Sequence, residues 1–389
     1  MLKKVLLVLV SLIILAVAAL LITGNQHVLN GIGKTYLIGK NKPDINDFGH
    51  FEMREMKNGE HEAWAKHRLF GNTGLNSAQE SYHDSMQSAS FLVIHRDSLL
   101  FEKYWRGFDE KSRTNCFSMA KSFTSILVGV AIEEGYIKSV NQKVSEFIPA
   151  FGDGKNADLT IKHLLQMASG IPFGESYSSP FGYMARAYYG KNLIEETLKY
   201  NVEYSPGSKW IYEGGNTVLI AMVIQKVTGR SLSQYFEEKV WSCIGAEQSA
   251  FWALDKKDGF EKAYSAVYAS ARDYARIGSL YMHNGIWKND TLVPPSYVAE
   301  SLVANQIPDS FGDNCSWYGY HWWLGNYNGK KIFSARGLRG QYIIVVPEDE
   351  LIVVRTGHQQ NKERQDHMPT DMFRYIDDAI QMAGLTEVN

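Results

Sequence analysis

The fold of this chain is decided by the stretch Phe117-Ser118-Met119-Ala120-Lys121-Ser122-Phe123-Thr124-Ser125, which continues into the apolar residues 126–132. Large apolar side chains recur in it at spacings of three and four, the pattern of a helix face that packs on a core. Gly135 follows the run and is typical of a helix C-terminal cap. The stretch therefore predicts a buried helix that begins beside Ser118.

Ser118 and Lys121 are three residues apart, so their side chains are neighbours on a helix. No other Ser-x-x-Lys spacing occurs in the 389 residues. A serine at a helix N-terminus faces free backbone N–H groups and the positive end of the helix dipole, and burial disfavours the charged form of a lysine. The pair predicts a serine nucleophile with its own base. The same spacing also fits an N-capping serine beside a solvent-facing lysine, so the rest of the chain must decide.

Composition describes a globular protein with a large core, since 45% of the residues are hydrophobic and 13% are aromatic. The length allows two lobes at most. The net charge is −2 with the signs interspersed, so nothing indicates a nucleic-acid partner, and we expect none. Cys116, Cys243 and Cys315 lie far apart, in no metal or redox spacing. We expect Cys116 to be a buried packing residue, and we infer no metal, no cofactor and no obligate protein partner.

The N-terminus carries an apolar run from Val5 to Thr23 behind Lys3-Lys4. As a helix this run would be about 28 Å long, which matches one bilayer core. Ala16-Val17-Ala18 fits a signal-peptide cleavage site, but the apolar run continues beyond it. We interpret residues 1–24 as an uncleaved membrane anchor, with a cleaved signal and a secreted protein as the alternative. The positive-inside rule then places the catalytic domain outside the cytoplasm, on the periplasmic or extracellular side.

The remaining chain reads as strands at both ends with helices between them. Residues 25–85 show little periodicity and predict a linker and irregular cover, while residues 136–310 are predicted to be mainly helical. Strands are predicted at Ser90–Arg96 and Leu99–Trp105, which form a hairpin, and at Lys330–Ala335, Gln341–Val346 and Leu351–Arg355. Helices are predicted at Thr160–Gly170 and at about Asp371–Met382. This order predicts an α+β fold, in which one antiparallel sheet is built from N- and C-terminal strands, with flanking helices and an inserted helical lobe.

A series of motifs then follows in order along residues 85 to 360. They are Ser118–Lys121, His163–Gly170, Tyr204–Gly207, Trp210–Thr217, Val227–Gly229, Ala271–Arg276, Tyr318–Trp323 and Gly337–Gln341. As an ordered set they resemble the serine β-lactamase and penicillin-binding-protein superfamily, in the branch of class C β-lactamases, family VIII esterases and 6-aminohexanoate-dimer hydrolases. The resemblance implies an α/β sandwich of the β-lactamase/transpeptidase type and a β-lactamase-related serine hydrolase domain at residues 86–389.

The second motif of that superfamily is Tyr-x-Asn, whose tyrosine helps to move the proton of the nucleophile. Tyr212 matches the tyrosine, but Gly214 stands at the asparagine position, and Tyr-x-Asn occurs nowhere in the chain. In β-lactam-binding members the asparagine contacts the substrate amide. The resemblance therefore implies a catalytic Tyr212 and argues against β-lactam hydrolysis.

The third motif, Lys-Thr-Gly or His-x-Gly on an edge strand, matches Ala335-Arg336-Gly337 only in its glycine. A glycine lets backbone and substrate approach closely, and the next N–H, of Leu338, would complete an oxyanion hole with the N–H of Ser118. The missing lysine removes the carboxylate anchor of penicillin-recognising members. Arg336 or Arg339 could replace it, although arginines at a sheet edge are more often solvated.

The resemblance implies acyl transfer without a metal or cofactor. Ser118 would attack a small ester or linear amide, Lys121 and Tyr212 would share the proton transfer, and water would release the acyl group. Which of the two acts as the base stays open.

Substrate contacts are expected from Gly337, Asn216, Tyr177 and Trp322. Aromatic residues from Phe173 to Tyr189 fall where related enzymes carry a loop over the site, and Trp317, Trp322 and Trp323 could form a wall, although aromatic clusters more often belong to a core. The alternatives are a penicillin-binding D-alanyl peptidase or β-lactamase, and a catalytically inactive surface protein that keeps the fold.

Overall fold

The computed structural model describes residues 1–385. Its helices are α1 (Leu2–Ile22), α2 (Gln26–Lys34), α3 (Ser77–Ser85), α4 (Ala120–Glu133), α5 (Ile161–Leu165), α6 (Tyr183–Tyr189), α7 (Leu193–Thr197), α8 (Gly214–Thr228), α9 (Leu232–Phe236), α10 (Ala271–Met282), α11 (Pro295–Ser301) and α12 (Thr370–Ala383). Its strands are β1 (Met53–Met56), β2 (Ala65–Lys66), β3 (Ser88–His95), β4 (Ser98–Tyr104), β5 (Thr114–Asn115), β6 (Ala250–Ala253), β7 (Val267–Ala269), β8 (Ile286–Trp287), β9 (Asp290–Thr291), β10 (Trp323–Tyr327), β11 (Lys330–Gly337), β12 (Gln341–Val346), β13 (Leu351–Gly357), β14 (Arg364–Gln365) and β15 (Met368–Pro369).

The main sheet has seven strands in the order β10-β11-β12-β13-β3-β4-β2. The C-terminal meander β10–β13 joins the N-terminal hairpin β3–β4 through antiparallel pairing of β13 with β3, with Val353 opposite Val93. The short strand β2 adds to β4 in parallel. The predicted antiparallel sheet built from both termini is confirmed, and so is the α+β class.

Helices cover both faces of this sheet. Met372 and Tyr375 of α12 pack with Phe91 and Val353 on one face. On the other face α10 lies so close that a Cβ at Gly278 would fall 2.8 Å from a methyl carbon of Ile352. The helices α4 to α9 form the lobe inserted between the two halves of the sheet.

Helix α4 is buried on every side, and not only along the predicted apolar stripe. All residues from Ala120 to Ala131 are buried. Its hydroxyls are satisfied by backbone carbonyls, with Ser122 donating to His321 at 2.7 Å and Ser125 donating to Tyr320 at 2.8 Å. The helix ends at Glu133, and Gly135 adopts the left-handed φ of +74° that a cap glycine provides. The helix therefore gives Lys121 a fixed position inside the protein.

The predicted irregular cover at residues 25–85 instead contains α2, β1, β2 and α3. Strand β1 pairs with β6 in a second sheet of order β1-β6-β7-β5, which also places strands within residues 136–310. These elements are short, and their partners lie far away in the chain. Local periodicity therefore missed them.

Helix α1 is long and apolar enough to cross a membrane, and none of its residues is buried. This is compatible with a membrane anchor or a signal peptide. The helix closes at Gly24, with φ of +71°, and the N–H of Asn25 donates to the carbonyl of Leu20 at 2.7 Å. Helix α2 begins at the next residue, Gln26.

Candidate active site

A sharp turn between β5 and α4 presents Ser118. Phe117 has a φ of +47°, which is unusual for a bulky residue, and its N–H donates to Oδ1 of Asn115 at 2.9 Å. The Phe117 ring is buried with Ile45. Burial of this ring and the Asn115 bond hold the turn, which leaves Ser118 half-buried at its outer side.

Lys121 points at Ser118 from the first turn of α4. Its Nζ donates to Oγ of Ser118 at 3.0 Å and to the carbonyl of Tyr264 at 3.1 Å. Lys121 is 1% exposed. The alternative of a capping serine with a solvent-facing lysine is therefore excluded.

Tyr212 lies beside this pair, just before α8. The centre of its ring is 4.8 Å from Nζ of Lys121. On its other sides the ring packs against Trp323 at 5.4 Å and against Tyr318 at 6.1 Å. Ser118, Lys121 and Tyr212 are thus brought together as the motifs predicted, with Trp323 supporting Tyr212.

The edge of β11 passes directly over the Ser118 turn. A Cβ at Gly337 would fall 2.1 Å from the carbonyl oxygen of Cys116, so only glycine allows this approach. Gln341 donates to the carbonyl of Leu338 at 2.9 Å and to that of Gly357 at 2.7 Å, which orients the Leu338 peptide. Within residues 1–385, the N–H groups of Ser118 and Leu338 donate no hydrogen bond. Free donors of this kind can stabilise an oxyanion.

Cys116 takes no part in this chemistry. It is fully buried, and burial raises the pKa of its thiol to about 12. A thiol with so high a pKa is not a nucleophile at neutral pH. Cys116 is therefore a packing residue, as predicted.

Ser118 opens into a cavity of about 620 Å³. Tyr264, Leu338 and Arg339 line it beside the serine, and the loop 177–180 and helix α6 line a second side. Its third side comes from α2 and the residues that follow it, up to Pro43. Five of the residues that line it are tyrosines, which suits an apolar ligand with a few polar groups.

The predicted substrate contacts are only partly found at this cavity. Tyr177 lines it, and its hydroxyl donates to Glu175. Asn216 does not reach it, because the first turn of α8 directs this side chain inward to within 3.5 Å of the sulfur of Met167.

The prediction for Trp322 is wrong. Its ring is fully buried, 4.2 Å from Tyr281 and 5.5 Å from Phe333. The tryptophan therefore belongs to the core below the sheet, where no substrate reaches it. Of the three tryptophans proposed as a wall, Trp317 is buried as well, stacked on His367.

Neither predicted arginine is free to replace the missing lysine. Arg336 is buried, donates to Ser334 at 2.9 Å and lies over the ring of Trp323. Arg339 lines the cavity but pairs with Asp44 at 3.1 Å. Within the described residues, neither arginine therefore presents an unpaired cation to the cavity, because Arg336 does not line it and Arg339 is paired.

Two carboxylates that the sequence did not single out tie the loop after Phe173 to the start of α8. Glu213 accepts from the N–H of Phe173 at 2.7 Å and of Gly174 at 3.1 Å, while Glu175 accepts from the N–H of Gly214 at 2.7 Å. Burial raises the pKa of Glu213 to about 7. We call Glu175 and Glu213 the carboxylate clasp. It places Glu175 against the position where related enzymes carry asparagine, since a Cβ at Gly214 would lie 3.3 Å from its carboxylate.

The sequence also did not indicate that Tyr264 and α2 belong to the site. Tyr264 accepts a hydrogen bond from Lys121 through its backbone carbonyl, and every residue type has this group. Helix α2 carries Val28 and Ile32 at a helical spacing, but nine residues are too few for a periodic signal.

Comparison with known proteins identifies this arrangement. The sequence profile of the beta-lactamase family matches residues 75–373. The 6-aminohexanoate-dimer hydrolase of Paenarthrobacter ureafaciens is 25% identical over 284 residues, which cover 68% of this chain and 71% of that protein.

Solved structures agree on the fold. A candidate 6-aminohexanoate-dimer hydrolase from Bacillus anthracis is 20% identical, with a TM-score of 0.72 over 92% of this chain and 95% of the other. A family VIII carboxylesterase is 18% identical, with a TM-score of 0.61 over 78% of this chain and 95% of the other. The predicted β-lactamase/transpeptidase-like fold is confirmed. The chain belongs to the beta-lactamase family and is a hydrolase of the beta-lactamase fold.

Proposed function

We propose that this protein is a serine hydrolase that cleaves a small ester or linear amide through an acyl-enzyme on Ser118. The observation that carries the proposal is the 3.0 Å contact between Nζ of Lys121 and Oγ of Ser118 at the wall of a cavity. The free N–H groups of Ser118 and Leu338 beside it support the same reaction class.

In the proposed reaction Oγ of Ser118 attacks the carbonyl carbon, and its proton passes to Lys121 or Tyr212. The carbonyl oxygen becomes an oxyanion held by the N–H groups of Ser118 and Leu338. Its collapse breaks the bond to the leaving group, which takes up the proton as an alcohol or amine. Water then attacks the acyl-enzyme, returning the proton to Ser118 and releasing a carboxylic acid. Which of Lys121 and Tyr212 acts as the base stays open.

The substrate class is supported by what surrounds the second and third motifs. Gly214 offers no side-chain amide, and the carboxylate of Glu175 lies against it. Ala335 carries no cation, and Arg339 is paired with Asp44. The second- and third-motif positions therefore offer a β-lactam no side-chain amide for its exocyclic amide and no lysine for its carboxylate.

We therefore expect esters and linear amides to be preferred over β-lactams. The measurement is kcat/KM for p-nitrophenyl butyrate, an aminohexanoate-type linear amide and nitrocefin on one preparation. Nitrocefin should be poorer than the best of the others by about tenfold or more, because unpaired polar groups lose binding energy. A fluorophosphonate should add to Ser118 in the intact mass of the protein. If nitrocefin were the best substrate by that margin, the protein would act as a β-lactamase instead.

Gly337→Ala should lower kcat by about 10²-fold or more, the usual cost of losing an oxyanion donor. The added methyl group would collide with the carbonyl of Cys116 and push Leu338 away from Ser118. The control is Gly74→Ala, whose Cβ would meet Phe101 at an ordinary 3.9 Å. Both variants are measured for p-nitrophenyl butyrate hydrolysis and for thermal unfolding. Full activity in a stably folded Gly337→Ala would contradict the proposed oxyanion hole.

We further infer that α1 stays attached as a membrane anchor and holds the catalytic domain outside the cytoplasm. Lys3-Lys4 precede the apolar residues, and no residue of the helix is buried. The hydrogen-bonded turn at Gly24 continues α1 into α2 without a flexible linker. A cleaved signal that leaves a secreted enzyme is the alternative.

A further inference from the structure

Helix α1 is joined to the catalytic domain by a short connection, Thr23–Asn25. Three residues span at most about 11 Å. The connection is also tied to the domain, because Arg186 of α6 donates to Oδ1 of Asn25 at 2.7 Å. The end of α1 therefore cannot move far from the domain surface.

Helix α2 is fixed to the same surface. Asn30 donates to the carbonyl of Tyr189 at 3.0 Å, and the imidazole of His27 donates to that of Pro180 at 2.8 Å. At Gly31, α2 comes so close to α6 that a Cβ on this glycine would fall 3.2 Å from the ring of Tyr189. Helix α2 is thus part of the domain, although the family match begins only at residue 75.

This fixed helix forms one wall of the Ser118 cavity. Ile32 lines the cavity and lies six residues into α2, a rise of about 9 Å. With the connection added, the cavity wall at Ile32 is at most about 20 Å from the end of α1. A bilayer crossed by α1 would therefore lie beside the mouth of the cavity.

Exposed apolar side chains lie on the segments that line the cavity, and we call them the apolar rim. Its members are Ile32, Tyr36, Leu37, Tyr177, Phe181 and Leu338. Four of them also line the cavity, and Leu37 and Phe181 follow cavity residues in the chain. Leu37 is 78% exposed and Tyr36 is 66% exposed, which is costly in water. Exposed tyrosines together with apolar residues are typical of a surface that lies at a membrane interface.

We propose that the apolar rim docks on the bilayer that α1 enters, and that Ser118 takes its ester or amide from a membrane-resident amphiphile. This rests on the proposed function. The carbonyl group of the amphiphile enters the cavity, while its apolar chain leaves between α2 and the loop 177–180 into the interface. Exposed Lys42 at the cavity would face lipid headgroups. A water-soluble substrate would need neither the rim nor the short connection.

Docking is tested without reference to activity. Leu37→Cys and Phe181→Cys are labelled with an environment-sensitive fluorophore in a Cys243→Ser background, since Cys116 and Cys315 are buried. The full chain is placed in vesicles of equal parts phosphatidylcholine and phosphatidylglycerol that carry quenchers in the acyl chains. Both labels should be quenched, whereas a label at Phe311→Cys, which is 91% exposed away from the cavity, should not. Equal quenching at the rim and at Phe311, or none at the rim, would overturn docking.

The substrate class is tested by the double variant Leu37→Ser/Phe181→Ser. In the same vesicles it should keep kcat/KM for water-soluble p-nitrophenyl butyrate within about twofold. For bilayer-dissolved p-nitrophenyl dodecanoate it should lose about tenfold, because access from the interface depends on the rim. The control Val303→Ser/Phe311→Ser removes two other exposed apolar side chains, which do not line the cavity, and should change neither value.

If the double variant lost kcat/KM equally for both esters, the rim would only support the fold, and a membrane-resident amphiphile would be excluded as the substrate. An unchanged kcat/KM for the dodecanoate ester would exclude such a substrate as well. If the unmodified protein hydrolysed neither ester while the rim labels were quenched, the proposed function would fail and docking would stand. Failure of the proposed hydrolase function would therefore appear in the hydrolysis rates, and failure of docking would appear in the fluorescence quenching.

Discussion

Replacing Ser118 with alanine should abolish hydrolysis of every substrate of this protein and leave it folded. The hydroxyl is the proposed nucleophile, and no other described group approaches Nζ of Lys121 as a hydroxyl acceptor. Ser118 is half-buried, so the change removes one oxygen without opening a core cavity. Loss of the nucleophile costs about 10³-fold or more in rate.

Initial rates on p-nitrophenyl butyrate, together with fluorophosphonate labelling, check this expectation. Ser81→Ala is the control, because this exposed serine bonds only to the carbonyl of Ser77 in its own helix. Circular dichroism and thermal unfolding should be alike in both variants. A Ser118→Ala protein that kept more than a few per cent of the activity, or still reacted with the fluorophosphonate, would refute the assignment.

Lys121→Met and Tyr212→Phe should each lower the rate by about 10²-fold or more, the usual contribution of a general acid or base. Methionine keeps most of the volume of the buried lysine, and phenylalanine keeps the ring that faces it. The two losses should not multiply in the double variant if both groups serve the one proton path proposed for them. The measurement is kcat/KM for p-nitrophenyl butyrate in a double-mutant cycle.

The chain offers a matched control for the buried amine. Lys262 is also fully buried, donates to the carbonyl of Ala187 at 3.3 Å, and has its pKa lowered to about 7 by burial. Lys262→Met should leave the rate nearly unchanged, whatever it does to stability. Losses that multiplied in the Lys121 and Tyr212 cycle would refute a shared path.

Much of the fold was predictable because its largest elements are continuous in sequence. Strands β12 and β13 contain the apolar runs Tyr342–Val346 and Leu351–Val354, and α4 repeats apolar residues at helical spacing, so the sequence pattern alone indicates them. Ser118 and Lys121 were found for the same reason, since three residues separate them. Gly337 was found through its motif, and its 2.1 Å approach to Cys116 explains why that glycine is needed.

The rest of the site depends on contacts between distant residues. Tyr264 holds Lys121 by a carbonyl that every residue type possesses, and Glu175 reaches Gly214 across a loop. Trp322 resembled a site tryptophan in its motif, but core burial decided its place. Helix α2 reads as a linker in sequence, because its stability comes from packing on α6 and not from its own nine residues.

The carboxylate clasp makes positions 175 and 214 dependent on each other in evolution. Gly214→Asn in the present background would place its Cβ 3.3 Å from both the carboxylate of Glu175 and the Cβ of Tyr264. The side-chain amide of the new asparagine would then contact the carboxylate of Glu175 and would not be free to bind a substrate. We therefore expect Gly214→Asn to be tolerated better after Glu175 has changed than before it, so the effect of this asparagine depends on the order in which the two substitutions arrive.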